Sequence, residues 1–251
     1  MRYVIIPDVH GRPFWRRAVV EAGEDPVIFL GDYLDPYPDE GIGRIAAWDG
    51  FMEIVALKKA HPERITLLLG NHDLAYIQSA IAGTRFDWLN AGRNRAFLYE
   101  HLDLFDMTCS IATPGRKYLL SHAGILPGWV KAHERLLGDH CDIGTRLNEL
   151  LHDNVQRFAF MMSLADVSRS RGGADLYGSP VWADVSEHRT DQFEIEDTYQ
   201  IFGHTLMEKA AITPYWACLD CGCAFVLDGD VLGQHIVLPG DIFLLYLDVE
   251  R

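Results

Sequence analysis

The chain has 251 residues and a formal net charge of −14, with 49% hydrophobic and 23% charged residues. This balance is typical of a folded globular protein, and so acidic a surface disfavours broad binding to nucleic-acid backbones. No apolar stretch approaches the roughly 18 residues that a membrane-spanning helix needs. We expect one large α/β domain over residues 1–251, without a membrane partner.

The N-terminus and the cysteines favour the cytoplasm. The segment MRYVIIPDVHG has only a short apolar run before Asp8 and His10, which is too little for a signal peptide. The five cysteines are an odd number and lack the spacing of a disulfide framework. We therefore expect a cytoplasmic protein.

Short apolar runs bounded by turn residues predict eight strands. In chain order they cover residues 3–6, 27–30, 65–69, 118–120, 199–202, 216–219, 224–227 and 242–247. Helical spacing of apolar residues covers 44–60 and 147–164. The irregular stretches 73–115 and 128–196 are interpreted as helical excursions that shape one rim of a cleft. Strands and helices alternate early and strands dominate late, which favours a layered α/β domain with mixed sheets.

Five of the predicted strands are followed at once by a side chain that can bind a metal, with a glycine beside it. Ligands in α/β sheets collect at the carboxyl ends of strands, and glycine lets the backbone turn tightly there. One histidine after a strand is weak evidence, but the five blocks in this order are specific. The blocks are Asp8-Val9-His10-Gly11, Gly31-Asp32, Gly70-Asn71-His72-Asp73, Ser121-His122-Ala123-Gly124 and Gly203-His204-Thr205.

This order of blocks resembles the calcineurin-like metallophosphoesterase superfamily, whose members carry D-x-H, G-D, G-N-H-[D/E], H and G-H. Many members end in G-H-x-H, whereas this chain has Leu206 at the last position. In that respect it is similar to the phosphoprotein-phosphatase branch, which includes bacterial Ser/Thr phosphatases and diadenosine tetraphosphate hydrolases. The segments GDYLD at 31–35, SPVWADV at 179–185 and LDCGCAF at 219–225 resemble further motifs of that branch.

The resemblance implies a four-layer sandwich of two mixed β-sheets flanked by helices, with the excursions over the active-site cleft. It also implies two divalent metal ions about 3.5–4 Å apart. Carboxylate, imidazole and amide ligands suit Mn²⁺, Fe or Zn²⁺ better than Ca²⁺, and we expect Mn²⁺. The implied ligands are Asp8 and His10 for the first ion, Asn71, His122 and His204 for the second, and Asp32 as the bridge.

The resemblance further implies hydrolysis of phosphomonoesters by direct attack of a metal-bridging hydroxide on phosphorus. His72 would protonate the leaving alkoxide, and Asp35 would keep His72 charged. The alternative for Asp35 is a turn residue before Pro36. Two metal ions, two carboxylates and a hydroxide leave a local charge of about +1, which would attract phosphate despite the acidic surface.

Pro36 stands where the branch normally has a phosphate-binding arginine. Arg12 and Arg189 are the predicted replacements, ranked ahead of Arg93 and Arg95, and the alternative is that all four are solvated surface charges.

The substrate class and the cysteines leave alternatives open. A phosphoserine or phosphothreonine protein and a small phosphorylated metabolite both fit, and a dinucleoside polyphosphate is the second choice. A non-catalytic scaffold is disfavoured because all six metal ligands and His72 are present. The C-x-x-C-x-C of Cys218, Cys221 and Cys223 would suit a structural metal or, more simply, a strand with small buried residues. The sequence does not indicate an oligomeric state.

Overall fold

A computed structural model describes residues 1–78, 85–138, 142–190, 197–237 and 242–247, with side chains up to residue 234. Within these ranges no helix is long and apolar enough to cross a membrane. The strands are β1 (Arg2–Ile6), β2 (Val27–Phe29), β3 (Ile65–Leu67), β4 (Thr108–Ala112), β5 (Lys117–Ser121), β6 (Thr198–Phe202), β7 (Ala211–Ile212), β8 (Trp216–Cys218), β9 (Ala224–Asp228), β10 (Val231–Val237) and β11 (Ile242–Leu247).

The helices lie mainly between β1 and β6. In chain order they are α1 (Phe14–Ala22), α2 (Arg44–Ala60), α3 (Asn71–Ile77), α4 (Ala91–Glu100), α5 (Pro127–Ala132), α6 (Glu134–Leu137), α7 (Ile143–His152), α8 (Arg157–Ser163) and α9 (Val185–Thr190).

The strands form two mixed sheets. The first has the order β11-β10-β9-β1-β2-β3, in which β1, β2 and β3 run parallel and β9 and β10 are antiparallel to their neighbours. The second has the order β4-β5-β6-β8-β7, with parallel pairing from β5 through β8 and antiparallel pairing at both edges. Two mixed sheets flanked by helices confirm the predicted fold class.

Alternation along β1 shows how the layers are built. Ile5 belongs to a buried cluster with residues of both sheets, including Leu120 and Ile201, so this side of the strand faces the second sheet. Val4 and Ile6 point the other way and belong to a cluster with helical residues such as Phe51. Successive strand side chains face opposite sides, so one short apolar strand serves both cores.

The predicted helix over 147–164 is wrong, because this stretch forms two helices, α7 and α8. The break lies at Asp153, whose Oδ1 accepts the backbone N–H of Val155 at 2.7 Å and of Gln156 at 3.0 Å. Such a side chain satisfies the amides at the start of a new helix and competes with the continuing helix. Helical spacing of apolar residues continues across the break and therefore hides it.

The first predicted excursion, 73–115, is also too long. Residues 108–112 form β4, the edge strand that pairs with β5 in the second sheet. The side chain of Asn148 in α7 accepts the N–H groups of Met107 and Thr108 at 2.8 and 3.0 Å and donates to the Thr108 carbonyl at 3.0 Å. A contact 40 residues away in sequence thus fixes a strand that the local pattern TCSIA does not reveal.

One buried histidine outside the cleft should make stability depend on pH. His188 in α9 stacks on Phe202, with ring centroids 4.4 Å apart, and its Nε2–H donates to the Ala123 carbonyl at 3.0 Å. Burial lowers the pKa of His188 to about 4. As the pH falls, the unfolded chain therefore binds the proton before the folded chain does. The contribution of His188 to the free energy of unfolding is fully present above pH 6.5 and is lost as the pH falls toward 4.

We expect the gap in free energy of unfolding between the wild type and His188→Gln to narrow by about 3 kcal/mol from pH 7 to pH 4. Urea denaturation of both proteins in chelator measures this gap. A gap that stays constant over the range would contradict a buried neutral imidazole.

Candidate metal centre

The loops after five strands bring the predicted ligands together. The residues following β1, β2 and β3 come from the first sheet, and those following β5 and β6 come from the second. Two groups of buried side chains have ligand atoms within 4.8 Å of one another: His10, Asp32 and His72, and Asp32, His122 and His204. Asp32 belongs to both groups.

Two histidines have their ring orientation fixed by backbone carbonyls. His10 Nδ1 lies 2.9 Å from the carbonyl oxygen of Leu34, and His122 Nδ1 lies 2.9 Å from that of Leu30. Since a carbonyl oxygen can only accept, each Nδ1 carries the proton and each Nε2 keeps its lone pair. Both rings therefore present an unprotonated nitrogen to the centre, as a metal ligand must.

One oxygen of Asp32 lies between the two groups. Its Oδ2 is 3.5 Å from His10 Nε2 and 3.6 Å from His122 Nε2. Its Oδ1 accepts the backbone N–H of His72 at 2.9 Å, which orients the carboxylate. A carboxylate oxygen between two ring nitrogens is suited to bridge two metal ions.

The second group brings imidazole nitrogens and an amide oxygen together in a buried place. His122 Nε2 lies 3.0 Å from Asn71 Oδ1 and 3.1 Å from His204 Nδ1. The Nε2 of His204 is buried and has no hydrogen-bond partner within the described ranges. A buried, unpartnered ring nitrogen beside further nitrogen and oxygen donors fits a divalent metal ion.

Asp8 completes the first group from the end of β1. Its Oδ2 lies 3.9 Å from His10 Nε2, and its Oδ1 accepts the backbone N–H of His204 at 2.9 Å. A side chain at Gly203 would collide with the Asp8 carboxylate. The glycine of the GH block is therefore required for the approach of the two sheets.

Burial sets the protonation of these groups. It lowers the pKa of His10 and of His204 well below the ordinary value, which keeps both imidazoles neutral. Burial also raises the pKa of Asp32 well above the ordinary value, and the nearby Asp8 carboxylate adds to this. Neutral imidazoles beside crowded buried carboxylates are a setting that a divalent cation would stabilise.

Close backbone contacts surround Asp32. A Cβ at Gly70 would overlap the Asp32 carboxylate, and Gly31 has a φ of +110° and lies against Gly70. Asp73 holds this junction, since its carboxylate accepts the backbone N–H groups of Gly70, Asp32 and Tyr33 at 2.9, 2.8 and 3.1 Å. The fourth residue of GNHD therefore shapes the Asp32 loop.

Backbone strain is concentrated here. Of the six non-glycine residues with positive φ in the described ranges, only Asp197 lies away from the centre. Such conformations cost energy and persist where the surrounding contacts enforce them. The other five are His10, Asp32, Asp35, Arg85 and His204.

His72, which belongs to the first group, forms a buried pair with Asp35. His72 Nδ1 lies 2.9 Å from Asp35 Oδ2, and the second oxygen, Oδ1, accepts from the hydroxyl of Tyr76 at 2.5 Å. Since Nδ1 is taken by Asp35, Nε2 is the nitrogen available to a substrate. Asp35 is thus more than a turn residue before Pro36, and Tyr76 is a partner that the motif did not indicate.

The phosphate-binding roles of Arg12 and Arg189 stay predictions, and a third arginine lies nearer to the ligand groups. The charge of Arg12 is paired with Glu40, whose carboxylate lies 2.8 Å from NH2 and 2.9 and 3.0 Å from Nε. Arg189 is exposed near the end of α9. Arg85, which the sequence did not single out, has NH2 within 3.3 Å of His10 Nε2 and 3.2 Å of His72 Nε2.

The cysteines do not converge on a metal site within the described ranges. Cys218 is buried in β8 and its thiol donates to the Gly203 carbonyl at 3.3 Å, while Cys221 and Cys223 have their sulfurs 3.4 Å apart. No group of potential metal ligands found there includes a cysteine.

Asp220 beside the cysteines is buried, and its carboxylate oxygens have no hydrogen-bond partner in the same ranges. Its nearest cation is Arg12, 4.0 Å away.

The fold is shared with solved phosphatases. A cold-active protein tyrosine phosphatase mutant superposes with a TM-score of 0.56 and 16% identity, covering 94% of this chain and 77% of that one. A Saccharomyces cerevisiae protein serine/threonine phosphatase with similarity to human phosphatase PP5 gives a TM-score of 0.51 and 15% identity, covering 100% of this chain and 81% of that one. At these identities the likeness establishes the fold alone.

Sequence comparison adds a relative and a family. The PP2A-like serine/threonine-protein phosphatase PPG1 of Candida albicans is 27% identical over 190 residues, which are 70% of this chain and 42% of the relative. The chain thus spans less than half of that protein's length. The calcineurin-like phosphoesterase family model matches residues 1–208. This match confirms the family that the five sequence blocks indicate: the chain belongs to the calcineurin-like phosphoesterases.

Proposed function

We propose that the chain is a binuclear-metal phosphatase that hydrolyses phosphomonoesters. The observation that carries the proposal is the position of Asp32 Oδ2, 3.5 Å from His10 Nε2 and 3.6 Å from His122 Nε2. A single oxygen at that position would serve two cation sites at once. A protein that needed only one structural ion would have no use for the second group of ligands.

Six side chains would hold the ions. When bound, two divalent cations supply acidified water and neutralise phosphate charge, which suits hydrolysis of a phosphate ester. We propose Mn²⁺ as the ion because the ligands mix carboxylate, imidazole and amide oxygen. The first ion would take Asp8, His10 and Asp32, and the second would take Asp32, Asn71, His122 and His204.

His72 would protonate the leaving group. Its Nδ1 is bound to Asp35, so Nε2 is left to face a substrate on the metal centre. The Asp35 carboxylate lies against Nδ1 and orients the ring, while Tyr76 fixes the other carboxylate oxygen. In this arrangement the proton on Nε2 passes to the departing alkoxide oxygen, and Asp35 stabilises the charge on the ring until then.

We propose phosphoserine and phosphothreonine in proteins as the substrate class. The sequence similarity to a serine/threonine-protein phosphatase supports this choice. The one-domain organisation over residues 1–251 and the cytoplasmic location stay predictions.

A substrate panel tests the function. Purified protein loaded with Mn²⁺ is assayed on a phosphothreonine peptide, a phosphotyrosine peptide, an aryl phosphate, an aryl phosphodiester and diadenosine tetraphosphate. We expect turnover of the phosphothreonine peptide and the aryl phosphate with release of inorganic phosphate. Turnover of diadenosine tetraphosphate alone would replace the proposed substrate class, and no turnover of any ester would overturn the phosphatase proposal.

The metal stoichiometry is the second prediction. We expect two divalent ions per chain in the wild type, about one in His122→Ala, and almost none in Asp32→Ala, because only Asp32 lies in both ligand groups. Elemental analysis after gel filtration measures these values. Asp166→Ala is the control, since that carboxylate pairs with His133 instead. Equal losses in the His122 and Asp32 variants would contradict a shared ligand.

Removal of the proposed acid should affect chemistry and leave metal binding intact. We expect His72→Ala to lower kcat about 10²- to 10⁴-fold on the phosphothreonine peptide, because the alkoxide then leaves unprotonated. The loss should be much smaller on an aryl phosphate whose phenolate leaves without a proton. If His72→Ala loses its metal, or loses activity equally on both substrates, His72 is not the acid.

A further inference from the structure

We propose that Arg85, held on the ring of Tyr37, is the residue that binds the substrate phosphate in this chain. This inference rests on the phosphatase function proposed above. The chain lacks an arginine directly after Asp35, where Pro36 stands. A dianionic phosphate is recognised best by a guanidinium, whose N–H groups match its oxygens.

Arg85 reaches the centre from outside all five sequence blocks. Its NH2 group lies 3.3 Å from His10 Nε2 and 3.2 Å from His72 Nε2, and its Nε donates to the Asp35 carbonyl at 3.2 Å. One end of the guanidinium is thus anchored to the backbone next to Pro36. The other end lies between a predicted metal ligand and the proposed acid.

The ring of Tyr37 packs against the guanidinium of Arg85. The Arg85 carbon Cζ lies 3.8 Å from the centroid of the Tyr37 ring, which is cation–π contact distance. The same ring packs edge-on against His10, with centroids 5.1 Å apart. Tyr37 follows Pro36 directly, so the loop that lacks its own arginine provides an aromatic surface for another.

The charge of Arg85 is not neutralised by a carboxylate. In the part of the chain that the structure describes, no acidic side chain lies within ion-pair distance of Arg85, whereas Arg12 pairs with Glu40 and Arg171 pairs with Asp184. The contacts of Arg85 are ring nitrogens, a carbonyl oxygen and an aromatic face. A half-buried guanidinium without a carboxylate partner retains its attraction for an anion.

Loading the centre would release this group toward substrate. His10 Nε2 would hold a metal ion with the same lone pair that now faces the Arg85 NH2 group at 3.3 Å, so the Arg85 donor would then be free for substrate. The Arg85 NH2 group and His72 Nε2 lie 3.2 Å apart. A phosphate oxygen that accepts from Arg85 would therefore lie beside the proposed acid.

The backbone conformation agrees with a functional role. Arg85 has a φ of +64° and Asp35, whose carbonyl it binds, has a φ of +59°. Arginine and aspartate both pay steric energy there, and such strain is retained where a side chain must be aimed.

The test compares Arg85→Met and Arg85→Lys with the wild type, each loaded with Mn²⁺ and checked for metal content. Calorimetric titration with inorganic phosphate measures binding, and steady-state kinetics on an aryl phosphate gives KM and kcat. We expect Arg85→Met to weaken phosphate binding about ten- to hundredfold and to raise KM, with metal content unchanged or higher. Arg85→Lys should fall in between, because it keeps the charge and loses the fork of donors.

Tyr37 gives a second pair of variants. Tyr37→Phe keeps the ring and should bind phosphate like the wild type, while Tyr37→Leu should weaken binding about two- to tenfold. Arg93→Met is the matched control. Arg93 in α4 also lies over an aromatic ring, with its Cζ 3.9 Å from the ring centroid of Trp48 in α2. Wild-type phosphate affinity in Arg85→Met, or loss of metal in that variant, would overturn the proposal.

The two proposals fail separately. An active wild type with an unaffected Arg85→Met leaves the phosphatase function standing and removes Arg85 from phosphate binding. Metal-loaded wild type that binds phosphate through Arg85 and hydrolyses no ester leaves the anion site and removes the catalytic function. Wild type that neither binds phosphate nor hydrolyses any ester overturns both.

Discussion

The placement of one carboxylate constrains much of the molecule. Asp32 must reach His10 on one side and His122 on the other, although these residues follow strands of different sheets. To bring it there, the backbone turns through Gly31 and passes against Gly70, where any side chain would collide with the Asp32 carboxylate. Buried hydrogen bonds from three amides to Asp73 keep this turn in place. Asp32 and Asp35 have positive φ in this loop, as is common where surrounding contacts hold a side chain in a fixed position.

Much of this could be predicted from the sequence, for a physical reason. Strands of three to five residues leave their polar side chains immediately after an apolar run, so the ligand positions are visible as local motifs. The carboxyl ends of parallel strands meet at one edge, which turns sequence order into proximity. The family, the two mixed sheets and eight of the eleven strands in the described ranges were therefore predicted, as was helix α2 over Arg44–Ala60.

What the sequence did not reveal depends on contacts between distant residues. Arg85 lies 50 residues from the Asp35 carbonyl that it binds, and its neighbours carry no motif. The strand β4 depends on a hydrogen bond to Asn148. The end of α7 depends on the side chain of Asp153, and the spacing of apolar residues does not change there. Local patterns report which face of a segment is buried; they do not report which distant group will satisfy its polar atoms.

The distribution of the ligands over two sheets has a consequence for the integrity of the fold. Of the proposed ligands, Asp8, His10 and Asp32 lie in loops of the first sheet and Asn71 begins helix α3 after β3, while His122 and His204 lie in loops of the second sheet. An ion held by Asp32 and His122 would act as a removable cross-link between the halves of the sandwich. At a free metal concentration 100 times the Kd, such a ligand adds about 2.7 kcal/mol to the free energy of unfolding. Metal supply would then regulate the lifetime of the protein as well as its chemistry, since starvation for metal would loosen the sandwich along its central seam.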